Sequence, residues 1–261
     1  MKAYLDAGHG GKDTGAIGVN NESESNNVLY LAKKVNEELN RRGHVTRMSR
    51  MSDTYPPSNY VSQSKSLNWR AEDANNFGAD VYLSFHMNSY KDSSANGIEV
   101  LYGRNASQTS KDLASYMCNS LAGIGFKNRG AKEQGATVLE KSNMPAVTLE
   151  NGFITNAHDL ELYKNNQQAF TNIICDVLEI FFGKGNVVPS PKPEPKPEPE
   201  PEPEPDETAT IAYQTYFNTE QKTISQGEKV TIVENEKGSD FIRVKRSNGE
   251  IGVVIRKAVV L

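Results

Sequence analysis

The chain has 261 residues, of which 36% are hydrophobic, and a formal charge of −4 at neutral pH. No run approaches the roughly 20 apolar residues of a membrane helix, and no cluster of basic residues typical of nucleic-acid binding occurs. We therefore expect neither a membrane nor a nucleic acid as a partner. The two cysteines, Cys118 and Cys175, are too few for a disulfide scaffold and are expected to be buried thiols.

Apolar strands and amphipathic helices alternate along the first two thirds of the chain. In the first helix Val28, Leu31, Val35 and Leu39 share one face, and Gly43 ends it. The predicted elements are, in chain order, strand 2–8, helix 26–43, strand 44–49, helix 66–78, strand 80–86, strand 97–103, helix 109–125, strand 145–153 and helix 166–183. This alternation predicts an α/β fold with a largely parallel twisted sheet flanked by helices.

A proline-rich segment separates this region from the C-terminal residues. Nine of the twelve prolines lie between Pro189 and Asp206, where they alternate with mostly acidic residues. Such a segment favours an extended polyproline II spacer. After it come short β-rich runs with turn signals, among them the hairpin pair Asn248-Gly249. We therefore predict a catalytic domain at 1–184, a linker at 185–206 and a small all-β barrel at 207–261.

The first strand runs directly into a glycine-rich loop, "LDAGHGGKDTGAIG". Its spacing fits neither a P-loop nor the G-x-G-x-x-G phosphate loop, because Asp13 stands where each pattern needs another residue. The glycines let the backbone turn sharply around His9 and let other groups approach it closely. The loop therefore indicates a histidine displayed for a metal ion rather than a phosphate site.

Other polar side chains lie near the carboxyl ends of predicted strands or at the start of a helix. His86 ends the strand 80–86, Glu150 follows "PAVTL", and Glu22 and Glu24 lie at the start of the first helix. In α/β sheets functional residues gather beyond the carboxyl ends of the strands. Two histidines and a carboxylate form a common zinc set with one position left for water or substrate. Each residue alone has an ordinary structural explanation, so this pattern by itself leaves a metal site and a structural role equally open.

The sequence resembles the type-3 family of zinc-dependent N-acetylmuramoyl-L-alanine amidases across roughly residues 1–182. The resemblance rests on four blocks in order, "LDAGHGGKDTGAIG", "WRAEDANNFGADVYLSFHMNS", "GIEVLYG" and "NRGAKEQGATVLEKSNMPAVTLENGFITN". It implies hydrolysis of the amide bond between N-acetylmuramic acid and L-alanine in peptidoglycan, which would be the partner of this chain. The first block departs from the family in having Ala7 where proline is common.

The resemblance also implies which residues form the site. Zinc would be held by His9, His86 and a glutamate, with Glu150 as the catalytic carboxylate. Aligning "ESNNVLYLAKKV" with the first helix of the family selects Glu24, whereas Glu22 needs a shift of two residues. Asn88 and Arg129 are weaker candidates for substrate binding, because ordinary structural roles explain them equally well.

The C-terminal residues resemble bacterial SH3-like wall-binding domains, although the tryptophans often found there are absent. The N-terminus lacks the apolar run of a secretory signal. We therefore expect synthesis in the bacterial cytoplasm and action on the wall after release, as in a phage endolysin. The alternatives are a bacterial autolysin or mother-cell lytic amidase, another zinc peptidase or deacetylase, and a wall-binding protein with an inactive catalytic domain.

Overall fold

A computed structural model describes residues 1–57 and 62–183 of this chain, together with seven C-terminal strands and Ser247. The chain divides into two compact units, Met1–Pro191 and Lys192–Leu261. The predicted linker at 185–206 lies outside the described residues. In the described part of the chain, no helix combines the length and the apolar composition that crossing a bilayer requires.

The N-terminal unit is built on one six-stranded sheet with helices on both faces. Its strands follow the spatial order β2-β1-β3-β6-β4-β5. They are β1 (Lys2–Ala7), β2 (Val45–Met48), β3 (Val81–Asn88), β4 (Ile98–Tyr102), β5 (Asn128–Glu133) and β6 (Ala146–Phe153). The helices are α1 (Glu24–Arg41), α2 (Gln63–Phe77), α3 (Gln108–Ala122), α4 (Thr137–Lys141), α5 (Ala157–Asn165) and α6 (Gln167–Phe182), with a short 3₁₀ turn at Val19–Asn21. The mixed α/β fold with a central sheet is thus confirmed.

The sheet is not parallel throughout. All its ladders are parallel except that between β6 and β4, so β4 and β5 run against the other four strands. The start of β4 consequently lies at the same edge of the sheet as the ends of β1, β3 and β6. This reversal brings residues from the beginning of β4 to the edge where parallel-strand proteins place their functional side chains.

The two faces of the sheet carry different cores. On one face, side chains such as Leu5, Leu83 and Leu149 pack against the apolar face of α1 and against α3 and α6. On the other, Tyr4 and Tyr82 stack with ring centroids 5.4 Å apart and pack with residues of α2 and α4. Both cysteines are free and buried, as expected.

Three short elements were not expected from the sequence. The strand β5 reads "NRGAKE", and α4 and α5 are five and nine residues long. An edge strand with solvent on one side needs no apolar alternation, and a helix of one or two turns shows too little periodicity to be recognised. These elements are consequently stabilised by tertiary packing rather than by a local sequence signal.

The C-terminal unit is all-β in its described residues. It has a five-stranded antiparallel sheet in the order β12-β11-β10-β7-β13 and a two-stranded sheet of β8 and β9. The strands are β7 (Thr208–Ile211), β8 (Thr215–Tyr216), β9 (Thr223–Ile224), β10 (Lys229–Glu234), β11 (Phe241–Arg246), β12 (Ile251–Ile255) and β13 (Val259–Val260). β11 and β12 pair on either side of Asn248-Gly249, which itself lies outside the described residues.

Candidate metal centre

Three side chains from distant parts of the sequence meet at the carboxyl end of the sheet. His9 follows β1, Glu24 is the first residue of α1, and His86 lies near the end of β3. One nitrogen of each imidazole and one oxygen of the carboxylate all lie within 4.8 Å of one another. This spacing suits three ligands arranged around a single ion.

Glu24 lies between the two histidines. Its Oε1 atom is 2.9 Å from His86 Nδ1 and 3.1 Å from His9 Nε2. The same oxygen accepts a hydrogen bond from the Met87 backbone amide at 3.1 Å, and Oε2 accepts one from the Ala16 amide at 3.0 Å. Burial favours protonation, but the histidine contacts outweigh it and hold the pKa of Glu24 well below its usual range. The ionised carboxylate that a metal requires is thus the favoured form.

A second carboxylate orients His9. Asp13 Oδ1 lies 2.9 Å from His9 Nδ1 and also accepts a hydrogen bond from the Gly15 amide. An imidazole whose Nδ1 donates to a carboxylate has its Nε2 lone pair free for a ligand. His9 therefore presents Nε2 towards Glu24, whereas His86 presents Nδ1.

Glycine is required at two positions of the loop because the histidine rings lie against the backbone. A Cβ atom on Gly8 would meet His86 Cε1 at 2.5 Å. A Cβ atom on Gly15 would lie 2.7 Å from both Glu24 Oε2 and His9 Cδ2. The glycines thus make room for the ligands themselves.

Two buried arginines hold the loop from beneath, and neither was expected from the sequence. Arg50 donates to the carbonyls of Ala7, Gly8 and Ser25 at 2.7–3.0 Å. Arg70 donates to the carbonyls of Ala7 and His9 at 3.0 and 2.9 Å. Together these bonds hold the backbone at Ala7, Gly8 and His9 and tie it to the start of α1. The φ of His9 is 59°, in the left-handed region that residues other than glycine rarely adopt.

The Arg70 guanidinium is itself held by a buried carboxylate. Asp6 forms an ion pair with Arg70 and accepts hydrogen bonds from Tyr82 at 2.7 Å and Ser84 at 2.9 Å. Burial opposes ionisation, but the charge of Arg70 and the hydroxyl groups of Tyr82 and Ser49 outweigh it and lower the pKa of Asp6 to about 2. The pair therefore stays charged, because each buried charge is compensated.

Glu150 lies beside this centre on the same face of the sheet. It is the direct neighbour of His86 across the β3–β6 ladder and of Glu99 across the β6–β4 ladder. Burial raises the pKa of Glu150 to about 7, and the nearby carboxylates of Glu24 and Glu99 add to the rise. Among the described residues none donates a hydrogen bond to its carboxylate. A carboxyl group with a pKa near neutrality suits general acid–base chemistry.

The alternative glutamate, Glu22, lies elsewhere. Its carboxylate accepts a hydrogen bond from Asn27 at 3.1 Å and forms an ion pair with Lys164. Glu22 thus belongs to a surface ion pair with Lys164, whereas Glu24, two residues later, contacts both histidines.

The two substrate-binding candidates both contact Glu99. Asn88 donates to Glu99 Oε1 at 2.8 Å, and Arg129 donates through Nε to Oε2 at 2.7 Å. Glu99 is buried to about nine tenths and also pairs with Lys132. The sequence alone assigned no role to Glu99 or Lys132.

A small cavity opens next to the histidines on the α2 side of the sheet. Its lining mixes polar and apolar side chains, among them His9, His86, Arg70, Tyr55, Leu67 and Val138.

The family model for N-acetylmuramoyl-L-alanine amidases of the Amidase_3 type matches residues 4–179. The chain belongs to this family. It is 38% identical over 163 residues to the amidase LytC of Bacillus subtilis, a match that covers 62% of this chain but only 31% of LytC. The matched region of this chain thus corresponds to less than a third of the length of LytC.

Solved amidase structures share the fold. The N-acetylmuramoyl-L-alanine amidase from Clostridium difficile 630 superimposes with a TM-score of 0.63 at 32% identity and covers 70% of this chain and 98% of its own. The catalytic domain of the CD27L endolysin, which targets Clostridium difficile, superimposes with a TM-score of 0.60 at 25% identity, covering 72% and 99% of the two chains. In both cases the likeness covers nearly the whole of the solved chain.

Proposed function

We propose that this chain is a zinc-dependent peptidoglycan hydrolase that cleaves the amide bond between N-acetylmuramic acid and L-alanine. One observation carries the proposal: ligand atoms of His9, Glu24 and His86 lie within 4.8 Å of one another, with Glu150 directly beside His86 on the sheet. Membership of the amidase family supports the choice of bond.

The donor set fits zinc. Two imidazole nitrogens and one carboxylate oxygen are a typical catalytic zinc set, which leaves a fourth position for water or substrate. The carboxylate of Asp13 behind His9 is the kind of outer partner that orients a zinc-bound imidazole. His9, Glu24 and His86 would hold the ion, and when bound it would polarise the scissile carbonyl and acidify the attacking water.

The residues of the chain supply the proton transfers and the positioning. Glu150 accepts the proton of the attacking water at its carboxylate and then delivers it to the departing amine of L-alanine. Its near-neutral pKa suits both steps, because the same group must take up a proton and release it. Asn88 and Arg129 are assigned to substrate contacts at the edge of the sheet.

Digestion of purified cell walls tests the function. We expect the chain to release soluble material with new L-alanine amino ends and intact glycan strands, to lose this activity in a metal chelator, and to regain it when zinc is added. A zinc carboxypeptidase would instead release C-terminal amino acids, and a deacetylase would release acetate. Full activity after metal removal would contradict the proposal. Binding to the wall without release of soluble material would contradict it as well.

We propose further that residues 207–261 form an SH3-like barrel that attaches the enzyme to the wall. The antiparallel sheet of β7 and β10–β13 supports an all-β module of this kind. A chain carrying Glu150→Gln is expected to bind the wall without cutting it and should therefore sediment with purified walls. Removal of 207–261 from this variant should lower the sedimented fraction severalfold, whereas an unchanged fraction would assign attachment to the amidase domain.

For the biological setting we propose a phage endolysin, supported by the likeness to the CD27L catalytic domain. An endolysin expressed in a Gram-positive host should lyse the cells only after the membrane has been permeabilised. Lysis of cells with an intact membrane would instead favour an exported bacterial autolysin.

A further inference from the structure

Two cationic side chains share one carboxylate at the edge of the proposed active site. Lys132 Nζ lies 2.5 Å and Arg129 Nε 2.7 Å from the same Glu99 oxygen, Oε2. The other oxygen accepts from Asn88. Arg129 and Lys132, which we call the basic pair, carry two positive charges against the single negative charge of Glu99, so the three side chains together have a net charge of +1.

The basic pair is ordered and yet accessible. The Arg129 guanidinium lies over the Phe153 ring at 4.9 Å and makes a long contact of 3.4 Å to the Asn96 carbonyl. Stacking on an aromatic ring restricts a guanidinium at little cost to its hydrogen-bonding capacity. The side chains of Arg129 and Lys132 are 30% and 42% exposed, so each retains donors that a ligand can reach.

The basic pair lies on the same face as Glu150. Glu99 is directly opposite Glu150, and Lys132 is level with Leu101, two residues after Glu99 in β4. Side chains two residues apart in a strand point to one face. The strand order places β5 two positions from β6, which corresponds to about 10 Å at the usual strand spacing. An extended peptide covers this distance in about three residues.

We propose that Arg129 and Lys132 bind a carboxylate of the peptidoglycan stem peptide, carried by the second or third residue beyond the scissile amide. This inference rests on the proposed function and adds a determinant of substrate specificity to it. Glu99 aligns the two cations while neutralising only one of them, so the remaining charge is available to the ligand. A guanidinium and an ammonium side by side are strong partners for a carboxylate.

The competing explanation is structural. The basic pair would then serve only to neutralise Glu99, which is buried next to Glu150. Under that explanation the cations are needed because of Glu99, and removing the charge of Glu99 should remove the need for them.

Kinetics on soluble muramoyl tripeptides separate the two explanations. Four substrates are compared, in which the second-residue and third-residue carboxylates are each either free or amidated. The full-length zinc enzyme is measured as wild type, Arg129→Gln, Lys132→Met and Lys34→Met. Lys34→Met is the control, because it removes one positive charge from α1, which packs on the face of the sheet opposite to the basic pair. Thermal unfolding of each variant accompanies the kinetics.

We expect the wild type and Lys34→Met to prefer one free carboxylate over its amide, and the preferred position identifies the carboxylate that is bound. Each variant of the basic pair should raise KM about tenfold for that substrate, with kcat and the KM for the amidated form nearly unchanged. The double variant Glu99→Gln/Lys132→Met should keep the raised KM.

Three results would overturn the inference. The first is that the wild type shows the same KM for all four substrates. The second is that the Arg129 and Lys132 variants lose activity equally on free and amidated substrates. The third is that the double variant recovers the wild-type KM. Failure of the wild-type enzyme to cleave the bond to L-alanine in any substrate would instead reject the proposed function, so the two failures are distinguishable.

Discussion

Glu150→Gln is expected to lower hydrolysis of the bond between muramic acid and L-alanine at least about a hundredfold. Glutamine keeps the size of the side chain but cannot accept the proton of the attacking water. Zinc content and thermal stability should be retained, because Glu150 contributes no ligand atom to the group formed by His9, Glu24 and His86. The measurements are wall digestion, zinc content after gel filtration and thermal unfolding.

The matched control is Glu140→Gln, the same change at an exposed position of α4, which should digest walls at the wild-type rate. If Glu150→Gln stays folded, retains zinc and digests walls at more than a tenth of the wild-type rate, proton transfer by Glu150 is ruled out.

Glu24→Gln should weaken zinc binding by more than about a hundredfold, since even the loss of an outer-shell partner can cost 10- to 100-fold. The neutral amide is a poorer ligand, and its NH₂ group would face the backbone amides of Met87 or Ala16, which now donate to the carboxylate. Competition with a chromogenic chelator measures the affinity. Wall digestion should fall in parallel and recover partly at high zinc concentration.

Glu22→Gln is the control for this change. It removes a carboxylate two residues earlier that pairs with Lys164 and Asn27, and it should leave zinc affinity unchanged. If the effects of the two substitutions were reversed, Glu22 would be the ligand and the helix would have to begin differently in the zinc-bound enzyme.

The elements with strong periodicity were predictable from the sequence, and so was the edge where they bring polar side chains together. The apolar face of α1 gave its position to within two residues at either end, and the β-rich segments ending at His86 and Glu150 correspond to β3 and β6. The alignment that favoured Glu24 depended on the same helix, because its apolar spacing fixes which residue comes first.

The support beneath the site was not predictable. Arg50 and Arg70 are charged residues in polar stretches of sequence, where a solvent-exposed role is the ordinary expectation, and their burial depends on carbonyls that only the folded loop brings together. The spacing of residues within β4 does not reveal that this strand runs antiparallel to β6. The location of Glu99 beside Glu150 therefore could not be derived from the sequence. Asp13 was within reach of sequence reasoning, because it follows His9 by four residues in the same loop.

The two arginines that support the loop have a consequence for binding of the proposed zinc ion. Because four hydrogen bonds from Arg50 and Arg70 to the carbonyls of Ala7, Gly8 and His9 already hold the backbone of that turn, binding of the ion need not be accompanied by ordering of the turn. The loop that carries His9 then loses its conformational entropy during folding and not when the ion binds, which favours fast association and high affinity. Substitution of Arg50 or Arg70 should therefore reduce zinc occupancy, even though neither arginine belongs to the group of His9, Glu24 and His86 that would hold the ion.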